Sequence, residues 1–394
     1  MDAWSVHHLY ENAKNQRDMQ TAASLRDYAA QLRSSGLPVI FTLGHLAKIV
    51  GVETEILHET VNRQRESANY RMYAVAKRSG GRRFIHAVTP ELFRVQQYLH
   101  KEILCGVKPH PAAFAFHSSG GIRQCASQHC GARWLFQYDL KDFFYEISEV
   151  DVYRIFNGLG YRKLLSFEIA RLCTTTRLPI SFKRYLRASY SEKPNFDNVE
   201  LLDDAFSGYL KFKPYLHSQR TGVLPQGAPS SPMLSNLAAR HLDESLHEYA
   251  FQLGFVYTRY ADDISISAYD LPSKMSRGDI HRAIVHRIRK ARFLENEKKT
   301  RIAGPGSKKL VLGLLVDGDS PRLSKETYMR IDRLLYAANK YGLVNTAKHE
   351  NFYSAYGFYN HLSGLVAFVK DVDIKRWAEF KLRLSELDVP WETT

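Results

Sequence analysis

The sequence has few of the features that mark membrane, secreted or disulfide-linked proteins. No apolar run in its 394 residues approaches the ~20 residues that a transmembrane helix needs. No basic segment followed by an apolar one stands at the N-terminus, so the sequence shows no secretory signal. Its cysteines, Cys105, Cys125, Cys130 and Cys173, form no Cys-x-x-Cys pair. We therefore expect a cytoplasmic protein with reduced thiols and no membrane partner.

Two common nucleotide-binding signatures are also missing. Neither Gly-x-Gly-x-x-Gly nor Gly-x-x-x-x-Gly-Lys-Ser/Thr occurs, so neither a dinucleotide-binding fold nor a P-loop ATPase is predicted. The apolar content of 44% and the charged content of 24% are those of an ordinary globular protein. The length allows two or three subdomains.

Positive charge, by contrast, is in excess. The chain has 55 Lys and Arg against 41 Asp and Glu, a formal net charge of +14. Such a balance favours a polyanionic partner, and nucleic acid is the leading candidate. Solubility alone is the alternative explanation, and charge does not decide between the two.

The spacing of apolar residues predicts a mixed α+β chain. Residues 1–65 have mainly helical spacing, and 70–88 alternate on both sides of a Ser-Gly-Gly break, as a β-hairpin does. Residues 308–317 are predicted to form a strand, and the last ~70 residues form helices. Residues 175–220 have no clear period, which indicates a partly helical insertion or a long loop.

Residues 258–268, TRYADDISISA, place two adjacent aspartates, Asp262 and Asp263, where a strand turns back. Adjacent carboxylates repel, and each resists ionising beside the other. The pattern therefore indicates a multivalent cation, although a Tyr-x-Asp-Asp string can also be a simple turn. In the second strand the alternation of Ile and Ser predicts one buried face and one open, polar face.

A third carboxylate completes the candidate site. Asp139 ends the apolar run 134–138, and if that strand lies beside the hairpin, three carboxylates meet at one edge of a sheet. Such oxygen ligands suit Mg²⁺. Two ions about 3.5–4 Å apart would support an in-line phosphoryl displacement.

Several segments then occur in a familiar order: KRSGGRRFI, the helix to Ile103-Leu104, YDLKDFF, LPQGAPSSPMLSN, RYADD, NEKKT and the strand with VLG. Over about 70–370 the chain resembles reverse transcriptases, most closely the retron and related bacterial anti-phage enzymes. The resemblance implies an α+β right-hand polymerase fold with fingers, an antiparallel palm sheet and a helical thumb. The implied domains are 1–65 (helical extension), 66–133 (fingers), 134–317 (palm, with an insertion around 175–220) and 318–394 (thumb).

The resemblance also implies roles for single residues. Asp139, Asp262 and Asp263 match the catalytic carboxylates that bind two Mg²⁺ ions. Phe144 matches the steric gate that lies against the sugar 2′ position and selects deoxynucleotides. Its neighbour Phe143 is more readily explained as a core residue.

Four further residues match the nucleotide-binding positions of the family. Lys77 and Arg83 match the fingers residues that clasp the triphosphate, a point charge and a planar fork respectively. Gln226 matches the residue under the incoming nucleotide and the template base. Lys299, ahead of its neighbour Lys298, matches the lysine near the leaving pyrophosphate.

Two elements bear on the subfamily. His129 ends Cys-Ala-Ser-Gln-His where retron enzymes have Asn-Ala-x-x-His, so Cys125 replaces an Asn. Gly313 ends Val-Leu-Gly where they have Val-Thr-Gly, so Leu312 replaces a Thr. A strict retron enzyme and a related defence-associated reverse transcriptase with its own noncoding RNA therefore both stay open.

The function implied by the resemblance is RNA-directed DNA polymerisation. The enzyme would copy a cognate structured noncoding RNA with dNTPs, give an RNA–DNA hybrid, and act in anti-phage defence with a separately encoded effector. The alternative from another class is an RNA-binding scaffold whose catalysis is secondary. The three intact aspartates argue against the scaffold.

Overall fold

The structure is a computed structural model that describes residues 10–11, 13–15, 18–76, 81–185, 221–389 and 391. Its longer helices, in chain order, are α1 (Met19–Ser34), α2 (Leu43–Val50), α3 (Thr54–Val61), α4 (Glu66–Asn69), α5 (Pro90–Tyr98), α6 (Ile122–Ser127), α7 (Phe143–Glu146), α8 (Glu149–Gly158), α9 (Lys163–Leu172), α10 (Ser231–Ala238), α11 (Arg240–Gln252), α12 (Arg277–Lys290), α13 (Lys325–Tyr341), α14 (Leu343–His349), α15 (Ala355–Lys370) and α16 (Ile374–Ser385). The strands are β1 (Tyr70–Ala76), β2 (Arg82–Val88), β3 (Trp134–Asp139), β4 (Val256–Tyr260), β5 (Asp263–Ala268), β6 (Arg301–Ala303), β7 (Leu310–Val311) and β8 (Leu314–Leu315).

The described residues form two compact units, each assembled from three separate segments of the chain. The predicted domain boundaries at 66, 134 and 318 do not coincide with these segments and stay predictions. Described residues of the first unit come from Met1–His117, Leu140–Ser245 and His286–Glu295, and those of the second from Ser118–Asp139, Leu246–Val285 and Asn296–Thr394.

The first unit contains the predicted N-terminal hairpin and most of the early helices. Strands β1 and β2 pair antiparallel, with Tyr70 opposite Val88 and Ala76 opposite Arg82. Helix α2 ends at Gly51, whose φ of 66° suits a residue without a Cβ. Helix α5 starts with Pro90 in its first turn, where a missing N–H costs nothing. These local signals explain why the early elements follow the sequence pattern.

The second unit is built on a four-stranded antiparallel sheet with strand order β4-β5-β3-β6. Strand β3 lies between β5 and β6, but β6 pairs only with Leu135 to Gln137, so at its end β3 pairs with β5 alone. Helices α13 to α16 follow the sheet in sequence. Of the helices in the described part of the chain, none is both long and apolar enough to cross a membrane.

The region 308–317 differs from its prediction. It forms two short strands, β7 and β8, joined by a turn in which Leu312 and Gly313 have φ of 50° and 86°. Positive φ at both central residues is typical of a type I′ hairpin turn. The prediction of a single strand is therefore wrong. The turn contains the apolar Leu312, so the sequence reads as one continuous apolar run.

A buried ion network stabilises the first unit. The guanidinium of Arg63 donates hydrogen bonds to Glu66 (2.8 Å), Glu149 (2.5 Å) and the carbonyl oxygen of Thr174 (2.6 Å). Glu149 also accepts a bond of 2.8 Å from the backbone N–H of Gly222. The network therefore ties the loop before α4 to the start of α8, the end of α9 and the segment that leads to Gln226.

We expect Arg63→Met to destabilise the protein strongly, because it leaves buried carboxylates without their cation. Breaking a buried ion pair costs about 3–5 kcal/mol. Because Arg171 lies 3.6 Å from Glu149 and keeps one cation beside it, we expect a loss of about 3 kcal/mol. Urea unfolding measures the loss. Arg65→Met is the matched control, because the Arg65–Glu59 pair is partly exposed and is worth about 1 kcal/mol or less. Equal small losses in both variants would contradict the interpretation.

Candidate active site

The tip of the β4–β5 hairpin is a two-residue turn formed by Ala261 and Asp262. Tyr260 and Asp263 close the turn, and Ala261 has a φ of 56°. Left-handed backbone costs a residue with a Cβ about 1–2 kcal/mol. The buried guanidinium of Arg259 donates a hydrogen bond of 3.1 Å to the carbonyl oxygen of Ala261. A buried side chain thus supports a strained turn, and strain of this kind clusters at functional sites.

The third aspartate lies directly across from this turn. Asp139 is the last residue of β3 and pairs in register with Asp263, the first residue of β5. Side chains directly opposite on antiparallel strands have Cβ atoms about 4.5–5.5 Å apart. Asp139 is 7% exposed, Asp262 is half-buried, and Asp263 is the most exposed of the three, although the surrounding protein still removes part of the water around its carboxylate. The sheet therefore brings together the three carboxylates that the sequence singled out.

The Asp139 carboxylate is held by two residues of the NEKKT segment. The Lys299 ammonium donates to Oδ1, and the Asn296 side-chain amide donates to Oδ2 at 3.1 Å. The backbone N–H of Asn296 also donates to the carbonyl oxygen of Asp139 at 2.7 Å. Partial burial lowers the pKa of Lys299, but its bond to Asp139 and the nearby negative charges outweigh this effect and raise the pKa overall. Lys299 therefore stays protonated.

The electrostatics at Asp263 show how concentrated the negative charge is. Desolvation, followed by the charges of Asp262 and Asp139, raises the pKa of Asp263 from 3.8 to about 6, while Lys299 acts in the opposite direction. The charge of Lys299 therefore offsets only part of the effect that burial and the two neighbouring aspartates have on Asp263. An added cation near the carboxylates would act in the same direction as Lys299.

The three carboxylates do not form a closed metal cage. Within the described residues, no group of three or more His, Cys, Asp or Glu side chains is placed to hold a metal ion. The Asp139 carboxylate instead accepts hydrogen bonds from Lys299 and Asn296. Mg²⁺ is usually held by one or two carboxylates together with waters and substrate phosphates, so a closed protein cage is not required.

The turn that carries Gln226 is packed against β2 in the first unit. The carbonyl oxygen of Gln226 accepts a bond of 2.8 Å from the backbone N–H of His86. Gly227 has a φ of 110°, and a Cβ there would lie 2.9 Å from Ile85 Cγ2 and 3.1 Å from the His86 carbonyl oxygen. Both the conformation and the close approach require glycine.

Arg83 lies on the β2 face that meets this turn. Because side chains alternate along a strand, Arg83 shares a face with Ile85, which approaches Gly227. Arg82 shares the other face with Phe84. Arg83 is exposed and thus available to a ligand. Lys77 lies outside the described residues.

The two phenylalanines of YDLKDFF differ in burial. Phe143 is 3% exposed and packs against Phe293, with ring centroids 5.4 Å apart. Phe144 is half-buried, so part of its ring can meet a ligand. This difference agrees with a core position for Phe143 and leaves Phe144 as the candidate gate.

His129 is fully buried against the central sheet. Its Nδ1 lies 2.7 Å from Ser267 Oγ and its Nε2 lies 2.7 Å from Thr258 Oγ1, which also contacts the Cys125 thiol at 3.3 Å. Burial lowers the pKa of His129 to about 4, so a neutral imidazole bridges β4 and β5. The prediction of an open serine face is wrong, since Ser265 and Ser267 are 5% and 2% exposed.

Sequence reasoning missed two residues that hold the candidate site together. Arg259 supports the strained turn, and Asn296 fixes Asp139 through both its backbone and its side chain. Both lie inside segments of the motif pattern, RYADD and NEKKT. Membership of these segments could have marked the two residues as candidates, but the hydrogen bonds that they make are visible only in the fold.

Comparison with known proteins identifies the family. Residues 75–316, more than half of the chain, match the family described as Reverse transcriptase (RNA-dependent DNA polymerase). The chain belongs to the reverse transcriptase family. It is 27% identical to the retron Ec86 reverse transcriptase of Escherichia coli, over 94% of this chain and 96% of the relative. It is 29% identical to the retron Mx65 reverse transcriptase of Myxococcus xanthus, over 94% of this chain and 77% of the relative.

These relatives confirm a bacterial retron-type reverse transcriptase with RNA-directed DNA polymerase activity. The family membership and the antiparallel sheet confirm the right-hand polymerase fold. Reverse transcriptases generally use divalent metal ions. A telomerase structure from Candida albicans is similar at 12% identity and a TM-score of 0.38, over 81% of this chain and 56% of that chain. The family assignment does not depend on that structure.

The raised pKa of Asp263 predicts that the metal-free reverse transcriptase loses stability as pH rises through about 6. The folded state holds this proton more tightly than the unfolded state, in which the pKa is near 3.8. The stabilisation is therefore complete below about pH 4 and is lost above about pH 6. Asp263→Asn removes the titrating group, so its melting temperature in EDTA should fall less between about pH 5 and about pH 7.

Asp270→Asn is the control for this measurement, because Asp270 is an exposed aspartate just after β5. It should keep the pH dependence of the wild type. Parallel loss of stability in wild type and Asp263→Asn would contradict the interpretation.

Proposed function

We propose that this reverse transcriptase copies a cognate structured noncoding RNA into DNA by two-metal nucleotidyl transfer, in anti-phage defence. The observation that carries the catalytic part is the register pairing of Asp139 with Asp263 beside the strained Ala261–Asp262 turn. This pairing supports a site in which three carboxylates meet at one sheet edge, where burial and the neighbouring charges raise the pKa of Asp263.

In this proposal Asp139, Asp262 and Asp263 would hold two Mg²⁺ ions. When bound, the ions would supply activation of the attacking hydroxyl and stabilisation of the leaving oxygen. Asn296 keeps the Asp139 carboxylate oriented through its amide. Lys299, which stays protonated, supplies positive charge or a proton to the departing pyrophosphate.

The residues that match the family's nucleotide-binding positions would bind the nucleotide. Arg83 is exposed and presents a planar fork suited to phosphate, and Lys77 would add a second cation. The Gln226 turn would lie under the incoming nucleotide and template base, and its hydrogen bond with β2 would hold it in place. Phe144 would lie against the sugar and reject a 2′-OH.

The RNA template and the defence role are supported by the retron relatives and by the charge of the chain. A net charge of +14 suits a polyanionic partner. In α13, the Lys340 ammonium lies 5.5 Å and 5.3 Å from the ring centroids of Tyr336 and Tyr341, all exposed. Such cation–aromatic groups suit phosphate contacts and base stacking. An effector would be a separate chain.

The catalytic assignment predicts that Asp139→Asn and Asp263→Asn each abolish most dNTP incorporation on a primed RNA. Losing a group that stabilises transition-state charge costs on the order of 100- to 1000-fold in rate. RNA binding should persist in both variants, because the carboxylates do not attract phosphates. Steady-state incorporation and filter binding measure the two properties.

Asp270→Asn serves as the control and should leave incorporation unchanged. Full activity in Asp139→Asn would overturn the assignment. Tight RNA binding by a wild type that incorporates no dNTP on any RNA would favour the scaffold alternative. Sequencing RNA and DNA that co-purify with the protein identifies the template, and a branched RNA–DNA product would favour a strict retron enzyme over another defence-associated type.

The contact of Lys299 with Asp139 predicts that the ammonium competes with Mg²⁺. Lys299→Gln removes that competitor, so the Mg²⁺ concentration that half-saturates the rise in melting temperature should fall by roughly tenfold. Turnover should also fall, because the leaving pyrophosphate loses its proton donor. Lys298→Gln, an exposed neighbour, is the matched control and should change neither property. Unchanged Mg²⁺ binding in Lys299→Gln would contradict the prediction.

A further inference from the structure

The candidate gate Phe144 has two aromatic neighbours in the first unit. Its ring centroid lies 5.7 Å from that of Phe143, which belongs to the core. It also lies 6.4 Å from that of Phe116, with the rings inclined by 48°. Both distances fall within the range of interacting aromatic pairs. Phe116, unlike Phe143, is 38% exposed, so core packing does not account for its position.

The backbone of Phe116 is strained. Its φ of 67° lies in the left-handed region, which a bulky side chain rarely occupies. Such a conformation costs about 1–2 kcal/mol and persists only where the surroundings impose it. In a loop without such contacts, the backbone of Phe116 would relax to a negative φ. The neighbouring residues therefore hold the backbone, and with it the ring, in this position.

Two hydrogen bonds fix the loop on either side of Phe116. The fully buried side-chain amide of Asn236 donates to the carbonyl oxygen of Ala115 at 2.6 Å. On the other side, His117 Nε2 lies 2.7 Å from the carbonyl oxygen of Ala113. Asn236 belongs to α10, the helix that follows the Gln226 turn. One helix therefore supports both the turn and the loop that presents the second ring.

We infer that Phe116 is a positioning residue that holds the Phe144 ring in place and thereby sets the discrimination between dNTPs and rNTPs. The inference rests on the proposed role of Phe144 as gate. A half-buried phenylalanine can change rotamer, and an apolar pocket that yields rejects an added hydroxyl by only about 100-fold. A second ring, fixed by its own strained backbone, removes that freedom.

The test compares kcat/KM for a dNTP and for the matching rNTP on one primed RNA. Phe116→Gly deletes the ring but adopts φ near 67° without strain, so the loop keeps its shape. We expect the dNTP preference to fall about tenfold, chiefly through faster rNTP incorporation. Phe116→Tyr keeps the ring and should keep the preference. Phe167→Ala, which removes a half-buried ring of α9 that packs on Arg171, should leave the preference unchanged.

Phe144→Ala separates failure of the inference from failure of the proposed function. If Phe144→Ala leaves the preference intact, the gate assignment fails and the inference fails with it. If Phe144→Ala lowers the preference and Phe116→Gly does not, only the inference fails. Should Phe116→Gly not fold, Phe116→Leu, which keeps apolar bulk without the ring, decides the question in the same assay.

A double variant gives a second measure. If Phe116 acts through Phe144, Phe116→Gly combined with Phe144→Ala should discriminate no worse than Phe144→Ala alone. A structural role without effect on the gate would instead lower incorporation of both nucleotides equally and leave their ratio unchanged. That result would overturn the inference.

Discussion

The repulsion between Asp139 and Asp263 is the constraint on which the rest of the candidate site depends. Two carboxylates directly opposite on neighbouring strands destabilise a sheet, and the adjacent Asp262 adds to the repulsion. Lys299 and Asn296, which lie just before β6 in the sequence, offset part of this cost by donating hydrogen bonds to the Asp139 carboxylate. The compensation is incomplete, because desolvation and then the charges of Asp262 and Asp139 still raise the pKa of Asp263. An added cation would relieve the remaining repulsion.

A hairpin that carries repelling charges at its tip has to be secured elsewhere. The neutral His129 ring joins the hydroxyls of Thr258 and Ser267, so β4 and β5 are linked through side chains as well as through the backbone ladder. Arg259 secures the other end by bonding the carbonyl oxygen of Ala261. The buried polar groups around the sheet therefore stabilise a geometry that the carboxylates alone would disrupt.

Local patterns were enough to predict the first hairpin, the carboxylate turn and the position of Asp139 beside it, because alternation and motif order are visible in the sequence. The open serine face was wrong because Ser267 is covered by His129, 138 residues away in the chain. The single strand at 308–317 was wrong because Leu312 occupies a turn position that favours other residues. Arg259 and Asn296 were missed because the sequence shows neither that the Arg259 side chain turns back to the carbonyl oxygen of Ala261 nor that Asn296 meets Asp139, 157 residues away.

The same structural device occurs in both units. In the second unit the strained residue Ala261 has its carbonyl oxygen held by the buried Arg259, and in the first the residue before the strained Phe116 is held by the buried Asn236. A third strained residue, Asp142, precedes α7 and accepts a bond of 2.6 Å from the Tyr185 hydroxyl. In each case a side chain donates a hydrogen bond to an oxygen atom of the left-handed residue or of its neighbour. Because α7 carries Phe144 and the turn carries Asp262, these three left-handed residues lie beside candidate active-site residues, whereas others, such as Leu312, lie in turns away from them.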